Sequence, residues 1–386
     1  MTLIYLDYAA TTPVHPAVMA AMAPYWTANF GNPSSIHRVG RAAAAGVDTA
    51  RDQVARVLQC RPSEVVFTSG ATEADNLAIV GTVTASSLDQ PHIITTVIEH
   101  PAVRETCRAL VKAGRATVSW IGVGADGLVN PAAVMAAITD ETILVSVMYA
   151  NNEIGTIQPI AKIGAALAKI NSGRATKIIF HTDAAQAAAY LDLTVDRLGV
   201  DLLSLSSHKI YGPKGVGALY VRANISVHTL MHGGEQEYNL RPGTVPVPLV
   251  VGFGQAVEHS RRVDWREAVA RIGGLRDELI SQLQSQIPGA HLNGSLIERL
   301  QNNVNIAIDG ISGETLAIKL DMAGLAISTG SACAAGRLEP SATLQALGLS
   351  PAAVAASIRL TLGEPTTAGE VTAAVKLLAA VLINSR

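Results

Sequence analysis

Along the chain, short and mostly apolar runs end abruptly in polar clusters, with longer stretches between them whose apolar positions fall three or four apart. Residues 65–67 run into Thr68-Ser69-Gly70, residues 92–98 into Glu99-His100-Pro101, and residues 143–149 into Ala150-Asn151-Asn152. Residues 178–180 run into His181-Thr182-Asp183, and residues 201–205 into Ser206-Ser207-His208-Lys209. Apolar runs of this length, bounded by turn residues, read as buried strands. The stretch 41–59 places Val47, Val54, Val57 and Leu58 at helical spacing. Strands alternating with such helices predict βαβ units, and hence an α/β fold with a mostly parallel sheet covered on both faces.

A smaller second lobe is expected toward the C-terminus. Gly212-Pro213-Lys214-Gly215 turns the chain into a further strand-like run over 216–221. After Pro248 a helical pattern covers 251–263 and continues past Trp265, the expected bridge between lobes. An alternating strand at 304–308, a helix at 313–320 and a strand within 356–363 follow. The expected domains are a large one over 14–255 and a small one formed by 1–13 with 256–386.

Composition narrows the class without changing the fold. The 386 residues are 49% hydrophobic but only 4% aromatic, so the core is built from small aliphatics, as suits helices lying close on a parallel sheet. A net charge of −2 without a basic or acidic run predicts neither a nucleic-acid nor a membrane partner. The longest apolar stretches are too short or too interrupted to cross a bilayer. The Leu6-Asp7 segment follows the start of the sequence at once, which predicts no signal or transit peptide and a cytoplasmic location. Three cysteines make no disulfide framework, in keeping with a reducing compartment. Neither a metal-ligand spacing nor an internal repeat stands out.

The strand ends carry the chemistry. A lysine closing a buried strand, as Lys209 does, has its amine pKa lowered by desolvation and is suited to Schiff-base chemistry near neutral pH. Ser206 and His208 beside it would bind an anion. Ala71 and Thr72 follow Gly70 at an expected helix N-terminus, where free amides favour a phosphate. Asp183 closes another strand and would partner a ring nitrogen. These are the three needs of pyridoxal phosphate: a lysine, an acid and a phosphate cradle. Cys60 closes one helical pattern and Cys107 lies inside another, both read as small buried hydrophobes. Cys333 instead sits between Gly330 and Gly336 without apolar periodicity, which suits a reactive thiol.

Several of these stretches together resemble the cysteine desulfurases of the class V aminotransferase family, nearly from end to end. They are Leu6-Asp7-Tyr8-Ala9-Ala10-Thr11-Thr12-Pro13, Ser206-Ser207-His208-Lys209, the Gly233–Thr244 loop and the Cys333 stretch followed by Glu339-Pro340-Ser341. The last spacing resembles the long-loop group, the nitrogen-fixation and iron–sulfur type. Pro242 stands where the family more often has serine, and Tyr238-Asn239 where it has Arg-Gly.

The resemblance implies a homodimer of the pyridoxal-phosphate transferase fold type I, with a seven-stranded sheet, converting L-cysteine to L-alanine. It implies that Lys209 carries the cofactor and moves protons, and that Asp183 keeps the ring nitrogen protonated. Gln186 would meet the ring hydroxyl and His100 would stack on the ring. Ala71, Thr72, Ser206, His208 and the partner subunit's Thr244 would surround the phosphate. Arg359 and Asn152 would orient the substrate. Cys333 would take the sulfur as a persulfide and pass it to an acceptor such as an iron–sulfur scaffold protein. Selenocysteine lyase is the alternative activity, which the 239–244 stretch also resembles. A non-catalytic scaffold subunit should have lost Lys209 or Cys333, and both are present.

Overall fold

The computed structural model describes residues 3–329 and 340–383. Thirteen strands are found among them: β1 (Ile4–Tyr5), β2 (Val65–Thr68), β3 (His92–Thr96), β4 (Thr117–Ile121), β5 (Thr142–Ser146), β6 (Ile179–Asp183), β7 (Leu202–Ser206), β8 (Gly217–Val221), β9 (Ala290–Leu292), β10 (Asn303–Ile308), β11 (Leu325–Ala326), β12 (Ser328–Thr329) and β13 (Ser357–Thr361).

β2 to β8 form one seven-stranded sheet in the order β2-β8-β7-β6-β5-β3-β4. The contiguous strands β7 to β4 are parallel, and β8 alone runs antiparallel to both of its neighbours. The reason is local. Only residues 207–216 separate β7 from β8, too short a link for the crossover that a parallel partner needs. Central strands such as β3, β5 and β7 are buried at every position, as their mostly apolar runs predict. β4 is one of the two edge strands. Its Thr117 and Ser119 alternate with Val118 and Trp120 and it stays partly exposed, so the apolar pattern did not mark it.

Helices pack on this sheet between the strands. The first five in chain order are α1 (Pro16–Met22), α2 (Pro24–Thr27), α3 (Arg38–Leu58), α4 (Ala71–Ala85) and α5 (Pro101–Lys112). The expected bridge is two helices, not one. The first spans Val247–His259 and begins just before Pro248, which stands in the first turn, where its missing N–H leaves no bond unmade. The second spans Trp265–Gln286. At the break, the Arg261 guanidinium covers the Trp265 ring at 4.4 Å and the indole N–H donates to the Ala189 carbonyl at 2.9 Å.

A second, antiparallel sheet in the order β12-β13-β10-β9 lies in the C-terminal part. The chain's first strand joins this part, since β1 pairs in parallel with β11. From there residues 7–12 run back to the larger sheet. The Tyr8 amide donates to the Thr361 carbonyl at 3.3 Å and the Thr12 amide to the His208 carbonyl at 3.0 Å. This N-terminal strap is what brings β13 and the Lys209 turn together. Among the described residues, no helix is long and apolar enough to cross a membrane.

Candidate active site

All strands of the parallel set deliver their C-terminal ends to one edge of the sheet, the place where open α/β sheets bind ligands. β2 leads to Gly70 and the start of α4, β3 to His100, β5 to Asn152, β6 to Asp183, and β7 to the single 3₁₀ turn Ser207–Lys209. A cavity of about 580 Å³ opens there. Lys209, Asp183, His100 and Gln186 line it, as do Ala71, Thr72, Ser206 and His208, and Arg359 enters from the second sheet opposite Asn152.

The Lys209 amine donates to the carbonyls of Ala9 at 2.5 Å and Ala10 at 2.8 Å, both on the strap. Burial, reinforced by the positive charge of Arg359, pushes its pKa down to about 8. A usable fraction of free amine is therefore present near neutral pH. Gln186 donates to the same Ala9 carbonyl at 3.0 Å. His208 touches Thr11 Oγ1 through Nδ1 at 3.2 Å, and burial together with the Lys209 charge pushes its imidazole down to about 4. It is a neutral group at physiological pH.

The start of α4 is open toward the cavity. Gly70 caps the helix without a side chain, leaving the amides of its first turn free for an anion. Gly70 has φ +157°, and β8 passes so close that a Cβ on Gly217 would lie 2.7 Å from the Gly70 carbonyl carbon. Glycine at both positions lets the anion-binding turn rest directly on the sheet. Glu73, in the same first turn, would repel an anion, but its carboxylate accepts from the Ser69 amide at 2.7 Å and pairs with Arg241 at 3.1 Å.

Asp183 accepts from the Ala185 amide at 2.9 Å. Burial raises its pKa, and the neighbouring His100 opposes that rise. His100 caps α5, its Nδ1 accepting from the Ala102 amide at 3.1 Å, and burial lowers its pKa. Arg359 is only 3% exposed. One of its nitrogens donates to Asp7 at 2.8 Å and another to the Asn152 carbonyl at 2.9 Å, while its Nε is buried without a partner. The two adjacent asparagines divide their work. Asn151 forms the Asx turn, accepting from the amides of Glu153 and Ile154, whereas Asn152 lines the cavity.

A family model described as Aminotransferase class-V matches residues 4–373. This chain belongs to the class-V aminotransferase family. It is 44% identical over 364 residues to the cysteine desulfurase IscS of Dictyoglomus turgidum, an alignment covering 94% of this chain and 90% of that protein. It is similar to a solved NifS-like protein with a TM-score of 0.92 at 34% identity, covering 99% of this chain and 100% of the other. It is also similar to a solved SspA in complex with cysteine, with a TM-score of 0.81 at 36% identity over 94% of this chain and 99% of the other. These likenesses make the seven-stranded architecture that of fold type I.

In this member of the class-V aminotransferase family, one of the expected site residues among those described stands apart from the cavity. Thr244 is exposed on a loop and does not line it. That loop is pinned at Glu237, whose carboxylate takes both ends of the Arg51 guanidinium at 2.6 and 2.9 Å and the Phe67 amide at 2.8 Å. The anchor holds Glu237, Tyr238 and Asn239 in consecutive left-handed conformations, φ 45°, 58° and 63°, where the family's Arg-Gly is replaced. Cys333 lies outside the described residues. Burial pushes the thiols of both Cys60 and Cys107 up to about 12, so neither is a nucleophile near neutral pH.

Sequence reasoning missed a second tier of residues. Asp75, Glu99 and His181 are almost wholly excluded from water around the site, and Lys214 lines the cavity itself. An i, i+3 or i, i+4 pattern cannot distinguish Asp75 from a solvated helix acid. The only available signal was the carboxyl's place just before the apolar stretch Leu77-Ala78-Ile79-Val80.

Proposed function

We propose that the chain is a homodimeric, pyridoxal-phosphate-dependent cysteine desulfurase acting in the cytoplasm. It converts L-cysteine to L-alanine and passes the sulfur as a persulfide to an acceptor such as an iron–sulfur scaffold protein. The observation that carries the reading is that one cavity holds a lysine amine depressed to about 8, a buried carboxylate and an open helix N-terminus. The set fits the cofactor by the chemistry of its donors. Ala71, Thr72, Ser206 and His208 would hold the phosphate, joined by the partner subunit's Thr244, and Gln186 the ring hydroxyl. Asp183 would keep a proton at the ring nitrogen, with His100 against the ring.

Bound there, pyridoxal phosphate supplies an electron sink for the bonds at the substrate's Cα. Arg359 binds the substrate carboxylate through its guanidinium and Asn152 fixes its orientation. Lys209 moves the proton at Cα. The Cys333 thiolate attacks the substrate sulfur, forming an S–S bond as the C–S bond breaks, and the carbon skeleton leaves as alanine after taking up protons. The decisive experiment adds the cofactor and cysteine and measures sulfide (with a thiol reductant) and alanine together. The parent should form both and Cys333→Ala neither, although the variant still binds cofactor. Full sulfide release by Cys333→Ala, or no product from the loaded parent, would overturn the reading.

A further inference from the structure

Asp75 lies in α4, is 0% exposed and does not line the cavity. A carboxylate oxygen of Asp75, one of Asp183 and a ring nitrogen of His100 lie within 4.8 Å of one another. On another side, Asp75 Oδ1 stands 3.6 Å from Nε2 of His181. The His181 ring is held between Ser146 Oγ at 2.8 Å and Ser204 Oγ at 3.0 Å, and burial pushes it down to about 3, so it supplies no cation. Glu99 adds a third buried acid nearby, engaged by Thr96 at 2.7 Å and the Met148 amide at 3.0 Å.

Two carboxyl groups this close and this dry cannot both ionise, so one of them keeps a proton. The surroundings decide which. Asp183 lines the cavity, accepts a backbone N–H and faces the positive charge of Lys209. Asp75 has neither the cavity nor a backbone donor. We propose that Asp75 carries the proton and acts as a positioning residue, a neutral acid behind Asp183 that keeps the negative charge on the carboxylate facing the cavity. The purpose of that charge rests on the reading of Asp183 as the ring-nitrogen partner. The location of the proton is a property of the chain alone.

Infrared difference spectra between the full-length parent and Asp75→Asn near neutral pH should show a protonated-carboxyl stretch that is lost in the variant. A parent lacking that band overturns the proposal whether or not cofactor binds. In protein loaded with pyridoxal phosphate, the pH midpoint of the cofactor's visible band should move by less than about half a unit in Asp75→Asn, which keeps a neutral polar group at that place. In Asp75→Leu, which removes the polar group, it should move by about one unit or more. A Leu variant with an unmoved midpoint, or an Asn variant displaced as far as Asp183→Asn, overturns the positioning role. If the Leu variant does not fold, the Asn titration and the infrared band decide. A parent that takes up no pyridoxal phosphate defeats the functional reading instead and leaves the infrared result standing.

Discussion

The anion cradle lines the cavity, the acid cluster reaches it only through Asp183 and His100, and the two are built from opposite materials. The cradle uses backbone amides at the start of α4, two hydroxyl side chains and a histidine that burial keeps neutral. The cluster gathers Asp183, Asp75, Glu99, His100 and His181, five ionisable groups of which the structure shields four almost completely. Binding a phosphate with neutral donors leaves the protein no charge of its own to desolvate. Holding a single negative charge against a ring nitrogen demands the reverse, since competing carboxyls must be kept protonated by burial. The cradle should therefore tolerate the loss of any one member. The cluster should not.

The sharpest break is at the lysine between them. Lys209→Ala should lower alanine formation at least about a thousand-fold, at the upper part of the range for a proton-transfer residue. Borohydride reduction followed by peptide mass spectrometry should place the pyridoxyl group on Lys209. Finding it on Lys214, in the same cavity, would move the reactive amine to the wrong residue and sink the assignment. Asp183→Asn should cost about a hundred-fold in turnover while leaving cofactor loading largely intact. Equal damage from Thr72→Ala would erase the contrast between cradle and cluster.

A smaller effect follows from pH. Cofactor capture needs the free amine, which is present above the lysine's pKa of about 8 and lost below it. Stopped-flow uptake of pyridoxal phosphate should therefore accelerate as pH rises, by up to about ten-fold per unit, and level off above about 8. His208 is already neutral from about 4 upward and should add no opposing step. A rate that falls across this range would mean the amine is not limiting. Smallest of all, Thr72→Ala should weaken cofactor affinity by only about five-fold, the worth of one neutral hydrogen bond near 1 kcal/mol. Equilibrium dialysis would measure it.

The contrast also explains what could be read without coordinates. Lys209, Asp183 and the Gly70 turn announce themselves because each terminates an apolar run, and the buried central strands are visible for the same reason. β4 escaped because an edge strand mixes polar and apolar positions freely. Asp75 and His181 escaped because burial of a polar group inside an element leaves no periodic trace. The strap carbonyls at Ala9 and Ala10 escaped for a different reason, since backbone groups have no sequence identity at all. The break at 260–264 was hidden because it holds neither Gly nor Pro and a helical pattern resumes beyond it, and Trp265 docks on Ala189 there.

The strap also carries a consequence for how the molecule is made. Asp7 leaves the ribosome long before its partner Arg359, which is 352 positions further on. Until that late strand emerges, the Asp7 carboxylate lacks its guanidinium and the cavity has no wall on Arg359's side. Contacts of such sequence separation form slowly and late. The larger sheet is thus complete in the nascent chain well before there is a place for substrate. Nascent protein can acquire a cofactor-sized hollow during synthesis, but it becomes an enzyme only when these two distant segments meet.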